Sequence, residues 1–586
     1  MKRALIEPRS FTLQILHTPC QILAININKD LKKTAPAGRR HSAAGGAAFQ
    51  AAVTTVARIA HPWSFFPNRR KASGPKTSFC IVLPGTGKLG PAAPIELVLT
   101  GPNHMPPSRP PLYLAIDQGG HASRALIYDG RGRLLSQAHE SITAAGNGDY
   151  LEYDSEILLQ SVQRAINRAV AALGSERSRL RAAALATQRS NIACWDRYTG
   201  TPFAPVIAWQ DRRAAAWLEK LPTADKQRIQ RLSGLPPSAH YGAGKLRWCL
   251  DHVPAVQEAL ADGRLAMGPM ASYLTQRLTV QQALLADPVN ASRTQLWGLQ
   301  RRDWSPELLG LFGIPASVLP QCVPSRHPFG TVVAGAQTLP LEVVTGDQAA
   351  ALFASGRPCP ATLHVTLGTG AFILWPSGSK PVSYPGLLSS IVHEDREGAL
   401  YALEGTVNGA GSALQWFADT EGQKVDYRHL EMLLTAVNDP PLFLNGIGGL
   451  GTPFMKADFT SRFIGTGDSD QRLVAVAESI VFLLQLNLDR MTESPGGRPA
   501  RIAAGGGLAR LDGLCQRLAD LSGLPVERSK AHETTALGLL RLLAPASRQP
   551  PPPPVDHFPP RNQYTLRQRY ECWKALLYDA ISSGEE

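Results

Sequence analysis

Acidic residues are nearly missing from the first 110 positions, where 15 Lys and Arg stand against Glu7, Asp30 and Glu96. The remainder carries 45 basic and 44 acidic residues, so almost all of the net charge of +13 belongs to that opening segment. A body this balanced offers no basic face for nucleic acid. Cysteine is sparse as well. The eight in 586 residues are scattered, with no CxxC pair and no histidine cluster nearby. That argues against a zinc site or a disulfide framework, and for a reducing, cytoplasmic setting. Nothing resembles the uninterrupted apolar stretch of about 20 residues that a membrane span needs. A phosphate loop of the Gly-x4-Gly-Lys-Ser/Thr kind is also lacking. PGTGKLG at 84–90 is too short before its lysine and continues with Leu89.

What is present begins with length: 586 residues allow two or more domains, at roughly 100–200 residues each. Residues 1–110 form a basic stretch of short apolar runs with Pro, Gly and Ala and no sustained period. It reads as irregular and dispensable, either a targeting arm or an extension upstream of Met105. Order starts at 112. LYLAID, RALIYD and LLSQAHE are expected strands joined by glycine-bearing turns, followed by a helix over about 155–174 and the strand LRAAALATQ. RSNIACWDRYTGTPFAPVIAWQDRR reads as a further hairpin turning at Tyr198-Thr199-Gly200. The pattern returns at 361, where ATLHVT, LGTG and AFILWPSG repeat strand, glycine turn, strand. ALYALEG and helices near 471–493 and 508–522 follow. Two halves that open alike imply an internally duplicated α/β protein with a cleft between domains, a favoured place for ligands.

Chemistry gathers at the turns. In LPLEVVTGDQAAALFASG, residues 339–356, a β-branched run ends in Gly-Asp-Gln and turns into a small-residue helix. Asp347 there is either a helix cap or a carboxylate poised to take a proton. Asp117 ends an apolar strand before Gln-Gly-Gly, so it is either a routine turn residue or a carboxylate able to hold Mg²⁺ through water beside an anion. Leu367-Gly368-Thr369-Gly370 is a second tight turn. Gly505-Gly506-Gly507 runs from a strand into a helix, where a flat surface and free amides suit a nucleotide.

LAIDQGG, TQR, WDRYTGTPFAPVIAWQDRR, YGAGKLRWCLDH, NASRTQLW, TGDQAA, LGTGAF and AAGGGLA occur in this order. Together they resemble the FGGY carbohydrate kinases, most closely the glycerol kinase branch, over residues 112 to about 543. The resemblance implies two actin-like (ribonuclease H-like) domains that close over ATP and a polyol or sugar. The expected organisation is an N-terminal segment 1–110, an N-terminal kinase domain 111–356, a C-terminal ATP-binding domain 357–546, and a Pro-rich linker with a helix over 547–586. It implies Asp347 as the base that accepts the substrate hydroxyl proton, and Asp117 in the Mg²⁺ region. Gly119, Gly120 and Arg124 belong to the first phosphate loop. Gly368 and Thr369 fall against the ATP phosphates, and Gly506 and Gly507 against adenosine. Arg189 hydrogen-bonds substrate hydroxyls, Gln348 helps hold the substrate, and Ser190 lies at the substrate site. His240 is either a substrate contact or a structural histidine, while Trp209 and Phe372 are apolar walls or ordinary core. No nucleic acid and no membrane are expected as partners, and a homodimer is allowed.

The chain departs from that pattern in places. Ser190 stands where the glycerol branch has Glu, and His240 where it has a glycerol-binding Tyr, which implies altered specificity. Gly120-His121-Ala122 replaces Thr-Thr-Ser in the first phosphate loop, and Gly505 and Leu511 replace an Asp and an Asn. Two readings stay open: a phosphotransferase, or a catalytically silent relative that binds a sugar or a partner protein.

Overall fold

The computed structural model describes residues 109–494, 497–545, 549–561 and 564–583, with the backbone of three strands nearer the N-terminus. Those strands, Lys2–Ile6, Arg9–Leu16 and Ala24–Asn26, pair antiparallel in that order, so the stretch expected to be irregular contains a small sheet. PGTGKLG and Met105 lie outside the described residues.

From Pro110 onward the chain forms a unit of its own, built on two large sheets. In the first, Leu134–Ser141, Ala122–Asp129, Leu112–Gln118, Leu180–Thr187 and Gln337–Gly346 lie side by side, with Arg326–Ala334 on the far edge. Numbered by sequence, the five read 3-2-1-4-5. Strand 2 runs antiparallel to 1 and 3, while 4 and 5 run parallel to 1. The second sheet repeats this: Gly398–Val407, Ala371–Gly378, Thr362–Leu367, Arg501–Gly505 and Val526–Ser529 take the same order and directions. The likeness of the two halves is therefore one of topology, not only of opening hairpins.

Each sheet is covered by helices whose apolar faces the sequence sets. Ser155–Ala171 is capped by Asp154, which accepts from the Glu156 and Ile157 amides, and buries Leu158, Val162, Ala165, Ile166 and Ala169. Ser469–Thr492 starts in a capping box of Asp468 and Gln471. It is long and apolar enough to cross a membrane by composition, yet 83% of its most apolar window is buried inside the protein. It is the core helix of the second domain. The tail is more than linker and helix: Val555–Phe558 adds an antiparallel edge strand beside Val526–Ser529, and Tyr564–Ser582 buries Tyr570, Trp573 and Leu577 in the second core.

A shared apolar cluster joins the domains. Ala115, Ala184, Val343 and Ala349 of the first pack with Leu374, Val392, Ala402, Leu539 and Leu540 of the second. Helix Thr534–Leu543 lies directly on helix Asp347–Leu352. A Cβ on Gly538 would fall 1.8 Å from the Ala350 carbonyl oxygen, so only glycine allows this approach.

Candidate active site

Three neighbouring parallel strands end together. Gly346 pairs with Thr187, and Thr187 with Gln118, which puts Asp347 and Asp117 at the same edge of the first sheet, either side of Leu180–Thr187. Carboxyl ends of such strands are where open α/β sheets bind ligands.

Asp347 is the first residue of its helix, and the residue in the capping position is Gly346. The cap reading of Asp347 is thereby corrected: its carboxylate accepts the Gln348 N–H at 2.7 Å, and it caps no further turn. Burial raises the Asp347 carboxyl above its usual range, while Arg189, the Gln348 N–H and Arg293 oppose the rise. Asp117 is 5% exposed. Burial first, and then the charge of Asp347, push it up to about 7, with Arg124 opposing. Arg124 donates to Asp117 at 3.4 Å and lies 3.9 Å from Glu533 of the second domain.

Arg189 is 8% exposed and follows the strand Leu180–Thr187. It donates to Gln348 Oε1 and pairs with Glu404 at 3.4 Å. Its stem passes so close to Gly346 that a Cβ there would sit 2.6 Å from Arg189 Cγ. Ser190, 4% exposed, has φ of 67°, an unusual left-handed conformation for serine. Two buried polar atoms here, Arg189 Nη1 and Ser190 Oγ, have no hydrogen-bond partner. Such orphans are uncommon and call for a ligand or water.

The Trp209 and His240 rings lie 5.2 Å apart. Lys245, fully buried, donates to the carbonyls of Ala208, Trp209 and His240 and so pins both loops. Burial and the cations Lys245, Arg212, Arg293 and Arg189 hold His240 well below the ordinary histidine range. It is neutral at neutral pH. Phe372 is partly covered and packs against the interdomain cluster.

In the second sheet Thr366 pairs with Gly505, so the turns Gly368–Gly370 and Gly505–Gly507 leave adjacent parallel strands. Gly368 and Thr369 carbonyls accept the amides of Gly411 and of Ala410 and Ser412, fixing the start of helix Gly411–Thr420. A Cβ on Gly505 or Gly507 would meet nothing within 4 Å, which leaves an open, flat surface. In the first domain the Gly119 N–H donates to the Ala122 carbonyl at 3.0 Å, and Tyr153 Oη to the Gly120 carbonyl at 3.0 Å.

No cluster of three or more His, Cys, Asp or Glu suited to a metal occurs among the described residues. Asp117 alone still fits Mg²⁺, which keeps most of its waters and takes one or two carboxylates plus substrate phosphates.

Residues 112–354 match the N-terminal domain of the FGGY family of carbohydrate kinases, and 363–547 its C-terminal domain. The chain belongs to this family. Glycerol kinase of Alkalilimnicola ehrlichii is 33% identical over 480 residues, 79% of this chain and 97% of the relative. The structure of Plasmodium falciparum glycerol kinase with ADP superposes with a TM-score of 0.72 at 22% identity, covering 80% of this chain and 97% of that one. Xylulose kinase from Rhodospirillum rubrum gives 0.72 at 19%, covering 80% and 99%. The fold is thus the two-domain actin-like ATPase fold, and the chain is an ATP-dependent carbohydrate or polyol kinase acting on a small molecule.

Within this FGGY kinase, sequence reading missed Glu404, Arg293 and Lys245. Glu404 lies in the second domain, 1% exposed, and its carboxylate takes Arg293 of the first domain and Ser390 Oγ at 2.9 Å. Burial alone would raise Glu404, but Arg293 and Arg189 outweigh it and hold the carboxyl down at about 2. The signal was distributed: Glu404 and Arg293 sit in stretches already quoted, ALYALEG and NASRTQLW, with nothing local to pair them.

Proposed function

We propose that this kinase transfers the γ-phosphoryl group of ATP to a hydroxyl of a polyol or sugar longer than glycerol, with Asp347 accepting the hydroxyl proton. The observation that carries the reading is the Arg189–Gln348–Asp347 constellation, which holds Arg189 Nη1 and Ser190 Oγ buried and unpartnered beside a carboxylate of raised pKa. In this reading those two atoms hydrogen-bond the acceptor's hydroxyls, and Trp209 and Phe372 flank its carbon face. His240, neutral, accepts from or donates to a further hydroxyl.

The reacting hydroxyl rests on Asp347 and gives up its proton as its oxygen attacks the γ-phosphorus. Phosphoryl transfer is mostly positioning and charge neutralisation, so a single oriented carboxylate suffices as base. A carboxyl raised above its usual range is a stronger base than an ordinary one. The turns at Gly119–Gly120 and Gly368–Thr369 hold the phosphates with Arg124, and Gly506–Gly507 faces adenosine. Asp117 would hold Mg²⁺, which when bound would neutralise charge on the phosphates. Such a reaction belongs in the cytoplasm, involves no nucleic acid, and is open to a homodimer.

The test is ATP consumption with Mg²⁺ across glycerol, erythritol, ribitol and xylulose. The replacement of Glu by Ser190 leaves space for added carbons, so kcat/KM for glycerol should fall at least about tenfold below the best acceptor. No consumption with any acceptor would favour the alternative, a catalytically silent relative that binds a sugar or a partner protein. Glycerol as the best acceptor would defeat the enlarged-site argument.

A further inference from the structure

The paired helices that carry Asp347 at one end border a cavity at the other, of about 310 Å³. Arg326, Phe353, Arg357, His393, Asp395 and Arg541 line it, drawn from both domains and from helix Thr534–Leu543. Most of its charges are already matched. Arg326 pairs with Glu342 at 3.2 Å, Arg357 with Glu397 at 3.1 Å, and His393 Nε2 with Asp395 at 3.2 Å.

Arg541 is different. It is 6% exposed, its Nε donates to the Ala354 carbonyl at 2.9 Å and its Nη2 to the Pro551 carbonyl at 2.8 Å. Among the described residues no carboxylate pairs with it, and burial lowers its pKa with no negative charge opposing. His393, 2% exposed, also lines the cavity, and its Nδ1 is buried without a hydrogen-bond partner. A buried cation without a counter-ion is costly, and an orphaned ring nitrogen adds to that cost.

We propose that this cavity binds a phosphate group, as the free ion or a small monoester, on the Arg541 guanidinium beside His393. A guanidinium offers phosphate oxygens a planar fork of donors, and the cavity volume is at the small end of ligand pockets. The site is coupled to Asp347 by direct contacts. Thr535 Oγ1 donates to the Asp347 carbonyl at 3.5 Å, Gly538 abuts Ala350, and Arg541 holds Ala354. A ligand that fixes Arg541 therefore steadies the whole segment from Asp347 to Ala354.

The experiment is a melting curve of the full chain in chloride buffer, titrated with inorganic phosphate or with methyl phosphate. Arg124→Gln controls for phosphate taken up at the nucleotide turns. A ligand that binds only the folded state raises the melting temperature in a saturable way. That rise is expected for the parent and for Arg124→Gln. It should vanish in Arg541→Gln, and His393→Leu should need at least about tenfold more phosphate for the same rise. If Arg541→Gln does not fold, the His393→Leu titration decides. A stronger response to methyl phosphate assigns the monoester, and a stronger response to the free ion assigns phosphate itself. The proposal is overturned by the absence of a saturable rise in the parent, by its loss in Arg124→Gln, or by its full retention in His393→Leu.

Discussion

Asp117 and Asp347 lie at the ends of the strands on either side of Leu180–Thr187, the one a residue before its strand stops and the other a residue after, and the charge of Asp347 is the largest influence on Asp117 after burial. In the proposed reaction Asp117 is the carboxylate that would hold Mg²⁺, while Asp347 stays free to take the proton. Asp117→Asn should therefore raise the Mg²⁺ concentration for half-maximal turnover by about 10–100-fold, the scale of losing one group that supports a metal. Turnover titrated with Mg²⁺ for parent and variant checks this; an unchanged midpoint would move the metal elsewhere.

Glu404 and Arg293 join the two domains by a buried ion pair, with Arg189 sharing the carboxylate. Removing one partner strands the other charge, so Glu404→Gln should cost roughly 3–5 kcal/mol. The sign of its pH dependence follows from the depressed carboxyl. With a folded pKa of about 2 against an ordinary 4.5, the pair's contribution is full above about pH 4.5 and is lost as pH falls toward 2. Denaturation midpoints of parent and variant should hence differ most above that window and converge below it.

Two glycines make an opposed pair of tests. Gly538→Ala drives a Cβ into the Ala350 carbonyl, and overpacking of this kind costs about 1–3 kcal/mol or more. It should lower the melting temperature and, by parting the helices, the turnover. Gly507→Ala meets no neighbour. It should melt as the parent does and raise the KM for ATP alone, since only the bound nucleotide would feel the new methyl.

The elements were legible where local chemistry decides them. Glycine after an apolar strand marked Asp117, Gly368 and Gly506, and the apolar spacing marked the helices at 155 and 469. What escaped depends on distance. Glu404 and Arg293 are 111 positions apart and meet only when both domains are assembled. Lys245 acts through three backbone carbonyls that no side-chain pattern reveals. The cap reading put the capping position one residue late, at Asp347 instead of Gly346, because helix ends are the least defined part of a sequence pattern. Val555–Phe558 was read as linker from the prolines around it, yet proline is compatible with an edge strand, and an edge is where this one lies.

The central claim is that Asp347 takes the proton. Asp347→Asn keeps an acceptor for the Gln348 N–H and has almost the same volume, so the fold and acceptor binding should survive. The amide cannot accept the proton, and turnover on the best acceptor should fall by roughly 10²–10⁴-fold, the usual scale for a lost general base. Turnover measured beside a melting curve settles it: a well-folded Asp347→Asn enzyme with turnover near that of the parent would contradict the account.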